Sequence, residues 1–482
     1  MELRWYRRNQ EAVTEALAAG ANPDMATTMA TGPLDELVAL HDELGVLGSL
    51  DALHPQRQRA GIDDRLLLRT LSVMPFLECH SFGGAAELLF HNPAILLHLG
   101  WSPFQIRMGD NERHRAPQGR CAESLPCNAE TLRDELARIS EADWLQLQQQ
   151  AVAEVVRRGL LQGGVFAIDG SGLGKNLRLV SLTCVSSERP FLVAWRLLEG
   201  DASEKGQEAA VTRSLLEQAL ALGVEIDLLL VDALYADGPF LAWCKYEKGF
   251  DVLVPIPADR ALHHDLEQLA AGDLLRFQRY SYVRAIQGHK QRRTLDLGAQ
   301  AGLTSWESFL AAATALGAEQ PTLWGCRLVP IEPTSADDLP WTLVSTRPWV
   351  SGVAAYEAFR PRWNIENGEF RELKEGWGLE EQRWGRNIAV QRGRVTLTCV
   401  AFNTAQVYLT QQGARLAARG IRRLMRWYDP QLGHSPVVIY IGHYYAVFTV
   451  EDLLRLLRRP SHLSLRPALV PAPPKKAMPR GP

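Results

Sequence analysis

The chain has 482 residues, 46% of them apolar and 22% charged, with a formal net charge of −3 at pH 7. These values are typical of a globular protein with a large core and two to four domains, and they argue against a protein that is basic throughout. No apolar run is long enough to span a bilayer, and the first residues, MELRWYRRNQ, lack the apolar segment of a signal peptide. We therefore expect a cytoplasmic protein with no membrane partner.

Residues 1–160 are predicted to form a helical N-terminal domain. Apolar residues recur at three- and four-residue spacing in LDELVALHDELGVL, in DRLLLRTLSVMPFL and in the segment from Glu130 to Gly159. This period is that of a helix with one buried side.

Residues 161–405 are predicted to form an α/β domain. VFAID, LRLVSLTCVSS and PFLVAWRLLEG are three β-rich runs separated by short turns, which predicts a meander. A helical run, the continuous apolar strand IDLLLVDALY, a second helix and the strand FDVLVPIP follow. This order of elements is that of a ribonuclease-H-like mixed sheet.

Residues 258–335 interrupt this order with strand-like segments such as LLRFQRYSYVRAI, which predicts an inserted β-rich subdomain. The strand WTLVSTRP and a helical stretch near residues 353–375 then resume the domain. Residues 406–460 are predicted to be a C-terminal helical region, and residues 461–482 a disordered tail rich in proline and basic residues.

Two windows of the sequence are locally basic despite the net negative charge. Residues 383–426 contain nine arginines and no acidic residue, and residues 275–294 combine six basic residues with three aromatic ones. Such windows suit a nucleic-acid backbone, although a solvated surface balanced by acids elsewhere gives the same pattern.

The seven cysteines are odd in number and scattered, which predicts reduced thiols rather than disulfides. Cys121 and Cys127, with His114 nearby, give the only hint of zinc. Their spacing is wider than is usual for a zinc-binding pair, so a zinc site is disfavoured.

The stretch GVFAIDGSGLGKN, residues 164–176, has two interpretations. A nucleotide-binding loop needs a glycine where Asp169 stands, a Ser or Thr where Asn176 stands, and a helix after the glycines. The sequence instead continues as a strand, so the glycines and Lys175 are better explained as a β-turn that presents Asp169.

Two aspartates follow buried strands, and a third acid lies on a helix. Asp232 ends the apolar run IDLLLVDALY as Asp169 ends VFAID, and two such carboxylates on adjacent strands point to a shared cation. The helix FRPRWNIENGEFRELKEGWGLE places Arg362 and Glu366 four residues apart, which an ordinary ion pair would also explain. Glu369 is the runner-up for the third acid, because an added residue near Gly368 would shift the register.

The set of Asp169, Asp232 and the Arg-Trp-x-Ile-Glu core at residues 362–366 resembles the DDE transposases of bacterial insertion sequences. The resemblance covers roughly residues 160–405 and is strongest to the branch with a Tyr-Arg-Glu-Lys signature. Two positions depart from that signature. Phe359 stands where it has Tyr, and Lys374 falls one residue late, with Leu373 at the expected position.

The resemblance implies that Asp169, Asp232 and Glu366 bind two Mg²⁺ ions, which Mn²⁺ could replace, and cleave DNA. It also implies contacts between DNA and basic or aromatic residues, which we expect to be Arg362, Trp363, Lys374, Arg383 and Arg386. The partners would be double-stranded DNA, namely the transposon ends and the target. A homodimer would hold two ends, and the helical N-terminal domain would recognise the terminal repeats. The alternatives are a nuclease of the same fold, a former transposase kept for DNA binding, and a non-catalytic DNA-binding protein with structural carboxylates.

Overall fold

The structure is a computed structural model of the chain. The described residues are 7–28, 33–53, 55, 61–77, 79, 81–90, 93–102, 105–106, 126–161, 163–174, 176–187, 189–204, 206–286, 289–331, 339–363, 365–380, 384–411, 437–442, 444–448, 453 and 456. Cys121, His114, Lys175, Arg383 and the predicted tail at 461–482 lie outside these ranges.

The strands of the described residues are, in chain order, β1 (Arg7–Arg8), β2 (Met25–Thr28), β3 (Val165–Gly172), β4 (Leu177–Cys184), β5 (Phe191–Glu199), β6 (Leu228–Leu230), β7 (Asp251–Ile256), β8 (Phe277–Ile286), β9 (His289–Leu303), β10 (Leu323–Pro330), β11 (Trp341–Ser345), β12 (Val437–Ile441) and β13 (Tyr444–Phe448). The α-helices are Gln10–Ala18, Pro33–Glu43, Val46–Asp51, Asp64–Val73, Gly84–Leu88, Pro93–Leu99, Ala129–Leu136, Glu141–Arg157, Ala209–Ala221, Gly238–Ala242, Ala261–Ala271, Glu307–Ala315, Gly352–Phe359 and Ile388–Gln411. Among these residues, no helix combines the length and the apolar character needed to cross a membrane.

The chain divides into two compact units. One comprises Val152–Glu375, and the other combines Met1–Ala151 with Gly376–Pro482. This division groups Ile388–Gln411 with the N-terminal helices, whereas the sequence placed most of that helix in the 161–405 domain.

The unit Val152–Glu375 contains a nine-stranded mixed sheet in the order β5-β4-β3-β6-β7-β11-β10-β9-β8. The first three strands form the predicted antiparallel meander. β6 then pairs in parallel with β3, and β7 pairs in parallel with β6. Parallel strands need a crossover connection, and the helix Ala209–Ala221 provides it where the chain passes from the meander at β5 to β6. This arrangement agrees with the predicted ribonuclease-H-like sheet.

The predicted insertion at 258–335 forms part of this sheet. β8 and β9 form an antiparallel hairpin, β9 pairs with β10, and β10 pairs with β11. Because β11 also pairs with β7, the inserted strands extend the central sheet and do not form a separate β-rich body. The expectation of an inserted subdomain is corrected to this extent.

The other unit contains a four-stranded sheet in the order β1-β13-β12-β2. The N-terminal domain therefore contains strands as well as helices, and residues 406–460 contain the hairpin β12–β13 rather than helix alone. The hairpin carries a signal that the prediction missed, because VVIYIGHYYAVF is rich in β-branched and aromatic residues around a Gly.

Candidate active site

Asp169 lies within β3, the first strand of the meander, which pairs with β4 on one side and with β6 on the other. The preceding residues Phe166, Ala167 and Ile168 are fully buried, and Asp169 itself is only 7% exposed. Its Oδ1 atom accepts a hydrogen bond of 2.8 Å from the backbone N–H of Gly170. β3 continues to Gly172, so Asp169 is inside the strand and not at its end.

The glycine-rich stretch after Asp169 is a connection between antiparallel strands. β3 ends at Gly172 and β4 begins at Leu177, and Gly174 takes a φ of +83° between them. A left-handed φ of this kind favours glycine. A strand follows the glycines where a nucleotide-binding loop would open a helix, and the structure therefore agrees with the turn interpretation.

Asp232 follows β6 at the position that matches Asp169 on β3. In the parallel pairing of these strands Ala167 is aligned with Leu230, and each aspartate stands two residues further along its own strand. Asp232 is half-buried, and its Oδ1 atom accepts a hydrogen bond of 2.6 Å from the N–H of Ala233. The two strand aspartates are thus brought to adjacent positions of the sheet, as the sequence predicted.

Glu369 contributes a carboxyl group beside Asp169. Ser181 of β4 stands directly opposite Asp169, and its hydroxyl donates a hydrogen bond of 3.1 Å to Glu369 Oε1. Glu369 is fully buried, and burial raises its pKa to about 8, with the negative charge of Asp169 adding to the increase. The runner-up acid of the sequence is therefore the one with a described side chain at this site.

Glu366 lies in the same helical segment, but its side chain is outside the described residues. The segments Ile365–Phe370 and Glu372–Gly376 are both π-helical. A π-helical hydrogen bond spans five residues instead of four, so such a turn absorbs an added residue. If the chain carries the predicted signature, an added residue of this kind would place Lys374 one residue later than in that signature.

Arg362 pairs with Asp169. Its Nη1 atom donates to Asp169 Oδ2 at 3.2 Å, and both side chains are buried. Its guanidinium group also lies 5.6 Å from the ring centre of Phe359. The sequence suggested a phosphate contact or an ion pair with Glu366 for this arginine, and the described contact is a third arrangement.

Trp363 packs in an aromatic cluster. Its ring lies edge to face on Tyr356 and on Phe359, with centroid distances of 5.9 and 6.0 Å. Tyr282 and Tyr280 of β8 also contact Tyr356, which connects the extended part of the sheet with the helical segment. Trp363 is partly buried, so only part of its surface is available to DNA.

Glu208, Arg178 and Tyr235 form a group that the sequence did not predict. Glu208 is 1% exposed, and its Oε2 atom lies 3.3 Å from Arg178 Nε. Tyr235 is 3% exposed, and burial together with the charges of Glu208, Asp169 and Asp232 raises its pKa. No sequence signal distinguished Glu208 from an ordinary acid at the start of a helix.

The predicted basic contacts have different surroundings. Arg386 is exposed and Lys374 is partly exposed. Arg394, by contrast, is buried and lies 5.4 Å from the ring centre of Trp384, and Arg392 pairs with Glu141 at 3.3 Å. The arginine-rich segment is therefore not a uniform surface, because at least Arg394 is part of the core.

Residues 186–403 match the family model of the transposase DDE domain. This match supports a DDE transposase. The matched range contains Asp232, Glu366 and Glu369 and begins after Asp169. The predicted family is confirmed, whereas the branch with the Tyr-Arg-Glu-Lys signature stays a prediction. No curated protein matches the chain.

Around the strand aspartates, carboxylates outnumber the cationic groups described beside them. Asp169, Asp232, Glu208 and Glu369 act on one another or on Tyr235, whereas the cationic partners described among them are Arg178 and Arg362. Within the described part of the chain no three metal-ligating side chains are close enough to hold an ion as a ready-made cluster. Repulsion between these carboxylates favours either a bound cation or a protonated acid. The pKa of Glu369 is raised mainly by burial, and the charge of Asp169 contributes less.

Proposed function

We propose that this DDE transposase cleaves DNA at the ends of an insertion sequence and transfers the cleaved strands to target DNA. The observation that carries the proposal is the matched position of Asp169 and Asp232 on the parallel strands β3 and β6. Carboxylates at adjacent positions of one sheet are suited to hold a divalent cation against a phosphodiester.

The proposed metal ligands are Asp169, Asp232 and Glu366, and the proposed ions are two Mg²⁺, with Mn²⁺ as a substitute. The residues fit such ions, since the group has oxygen donors and an excess of carboxylates over arginines. When bound, the ions would activate a water or a 3′-hydroxyl and stabilise the leaving oxygen. Glu369 is the rival third ligand because its carboxyl group lies beside Asp169.

Basic residues of the protein would contact the DNA backbone. Lys374 and Arg386 are accessible for phosphate contacts, and Arg362 would act at the site itself through Asp169. Arg292 of β9 is also exposed, which supports a role for the β8–β9 hairpin in binding the backbone. We propose a homodimer, because strand transfer of a transposon requires that two ends be held together, and a site of action on bacterial DNA in the cytoplasm.

The proposal is tested with purified protein, Mn²⁺ and a duplex that carries the inverted repeats flanking the gene. We expect nicking at the repeat end and joining to a second duplex, and we expect Asp169→Asn and Asp232→Asn to abolish both while retaining binding to the ends. Nicking without preference for the repeats would instead support a nuclease of the same fold. End binding without any cleavage, in all variants alike, would support a protein kept for DNA binding.

A further inference from the structure

Tyr235 has a buried hydroxyl group with no hydrogen-bond partner among the described residues. It closes the short turn Ala233–Tyr235 that begins directly after Asp232, and that aspartate caps the turn. The side chain as a whole is only 3% exposed. A buried donor without an acceptor is unfavourable in any fold, and its persistence calls for an explanation.

The surroundings of this hydroxyl are those of the proposed active site. Burial raises the pKa of this hydroxyl and keeps it protonated, and the negative charges of Glu208, Asp169 and Asp232 add to that effect. Arg178 is the nearby cation that acts on it, and this arginine pairs with Glu208 and donates to the carbonyl oxygen of Gly170. Arginine has no acceptor atom, so the phenol remains a donor facing a group of acids.

We propose that the Tyr235 hydroxyl donates a hydrogen bond to a non-bridging oxygen of the scissile phosphodiester bound between Asp169 and Asp232. This inference rests on the proposed function. A phosphodiester oxygen satisfies the unpaired donor, and it enters the site only when DNA is bound. The position of Tyr235, three residues after one proposed metal ligand, brings the donor to the same end of β6 as that ligand.

Phosphate oxygen fits this donor better than the other oxygens that the site would hold. A water molecule bound to a divalent cation directs a lone pair at the metal, so it is a strong donor and a poor acceptor. A phosphodiester oxygen keeps its acceptor capacity and its negative charge, and hydrogen bonds to charged acceptors are the strong ones. The hydroxyl would thus act on the reacting group as a fixed donor of the oxyanion-hole type.

The test is Tyr235→Phe, which removes the hydroxyl and keeps the ring. We expect cleavage of the end-bearing duplex with Mn²⁺ to slow by roughly 10- to 100-fold, as for the loss of one hydrogen bond to a charged oxygen. Mn²⁺ affinity, measured by titration without DNA, is expected to stay within about twofold, because the phenol is not a metal ligand. The midpoint of thermal unfolding is expected not to fall, since no described protein group loses a partner.

Scissile phosphorothioates of each configuration identify the contact. In one configuration sulfur replaces the oxygen that accepts from Tyr235, and there we expect Tyr235→Phe to slow cleavage by less than about threefold, because the two changes remove one interaction. In the other configuration the full loss is expected. Equal losses on the all-oxygen duplex and on both phosphorothioates would overturn the assignment, as would a loss of Mn²⁺ binding in the variant.

Tyr246→Phe is the matched control, since this tyrosine packs against Phe309 and its pKa is raised by burial and by Asp251, not by the site acids. The control is expected to cleave at the rate of the unaltered protein. If the unaltered protein cleaves and Tyr235→Phe cleaves equally fast, this inference fails and the proposed function stands. If the unaltered protein cleaves no end-bearing DNA, both fail together.

Discussion

Arg362 and Asp169 are 193 residues apart in the chain, and they form a buried ion pair with an Nη1–Oδ2 distance of 3.2 Å. The arginine of the Arg-Trp-x-Ile-Glu core thus neutralises Asp169, the first of the proposed metal ligands. A cation that binds Asp169 has to share its carboxylate with this guanidinium group or displace it. Arg362 therefore connects the occupancy of the metal site with the position of the helical segment that follows it.

We expect Arg362→Gln to lower the free energy of unfolding by about 3–5 kcal/mol without divalent metal, because the buried Asp169 charge loses this ion pair. Mn²⁺ should raise the thermal midpoint of this variant more than that of the unaltered protein, since the ion no longer competes with the guanidinium group. Arg371→Gln is the control, because its i,i+4 pair with Glu375 is exposed and should contribute little. An equal Mn²⁺ effect in all three proteins would contradict the competition.

The choice of third metal ligand is tested with Glu366→Gln and Glu369→Gln. Gln keeps the volume of the side chain, so the buried Glu369 site does not become a cavity as it would with Ala. We expect Glu366→Gln to lose nicking of an end-bearing duplex with Mn²⁺ by orders of magnitude and Glu369→Gln to keep most of it. The opposite result would assign the third ligand to Glu369 and refute the alignment that places Glu366 in the signature.

The stability of the metal-free protein should decrease with rising pH because of Glu369. Burial raises its pKa from 4.5 to about 8, so between these values the folded protein retains a proton that the unfolded chain releases. The stabilising effect is complete below pH 4.5 and is lost as the pH rises through 8, at up to about 1.4 kcal/mol per pH unit. In urea unfolding over this pH range, the free energy of unfolding of Glu369→Gln should not show this decrease. The same pH dependence in the variant and in the unaltered protein would contradict the prediction.

The arginine-rich segment should divide into residues that bind DNA and residues that stabilise the fold. Arg386 is exposed, so Arg386→Ala should reduce the slope of log affinity against log salt by about one unit while unfolding is unchanged. Arg394 is buried beside Trp384, so Arg394→Ala should lower the unfolding midpoint and leave the salt slope of the folded protein unaltered. A reduced slope in Arg394→Ala alone would reverse these roles.

Local patterns predicted the centre of the sheet well. The strands β3 to β7 are marked by β-rich or continuous apolar runs, and Asp169 and Asp232 stand out because charged residues are rare at the end of such runs. Their matched position follows from the parallel pairing that the element order implied.

The remaining features depend on contacts that are distant in sequence or on irregular backbone. The sheet β1-β13-β12-β2 joins strands from opposite ends of the chain, and no local pattern predicts that pairing. Glu369 is buried within the π-helical segment Ile365–Phe370, whereas the sequence predicted only a helical stretch near residues 353–375. Glu208 resembles any other acid in sequence, and only the fold places it beside Arg178.

The two-part composition of the unit that holds this four-stranded sheet has a consequence for biosynthesis. A ribosome releases Met1–Ala151 first, then the whole of Val152–Glu375, and only afterwards the strands β12 and β13. The nine-stranded sheet can therefore form while β1 and β2 still lack their partners. The edges of those two strands stay unpaired until synthesis has passed Phe448. We expect a chain that terminates before Val437 to expose these edges permanently and to aggregate, even though every residue of the proposed active site is present.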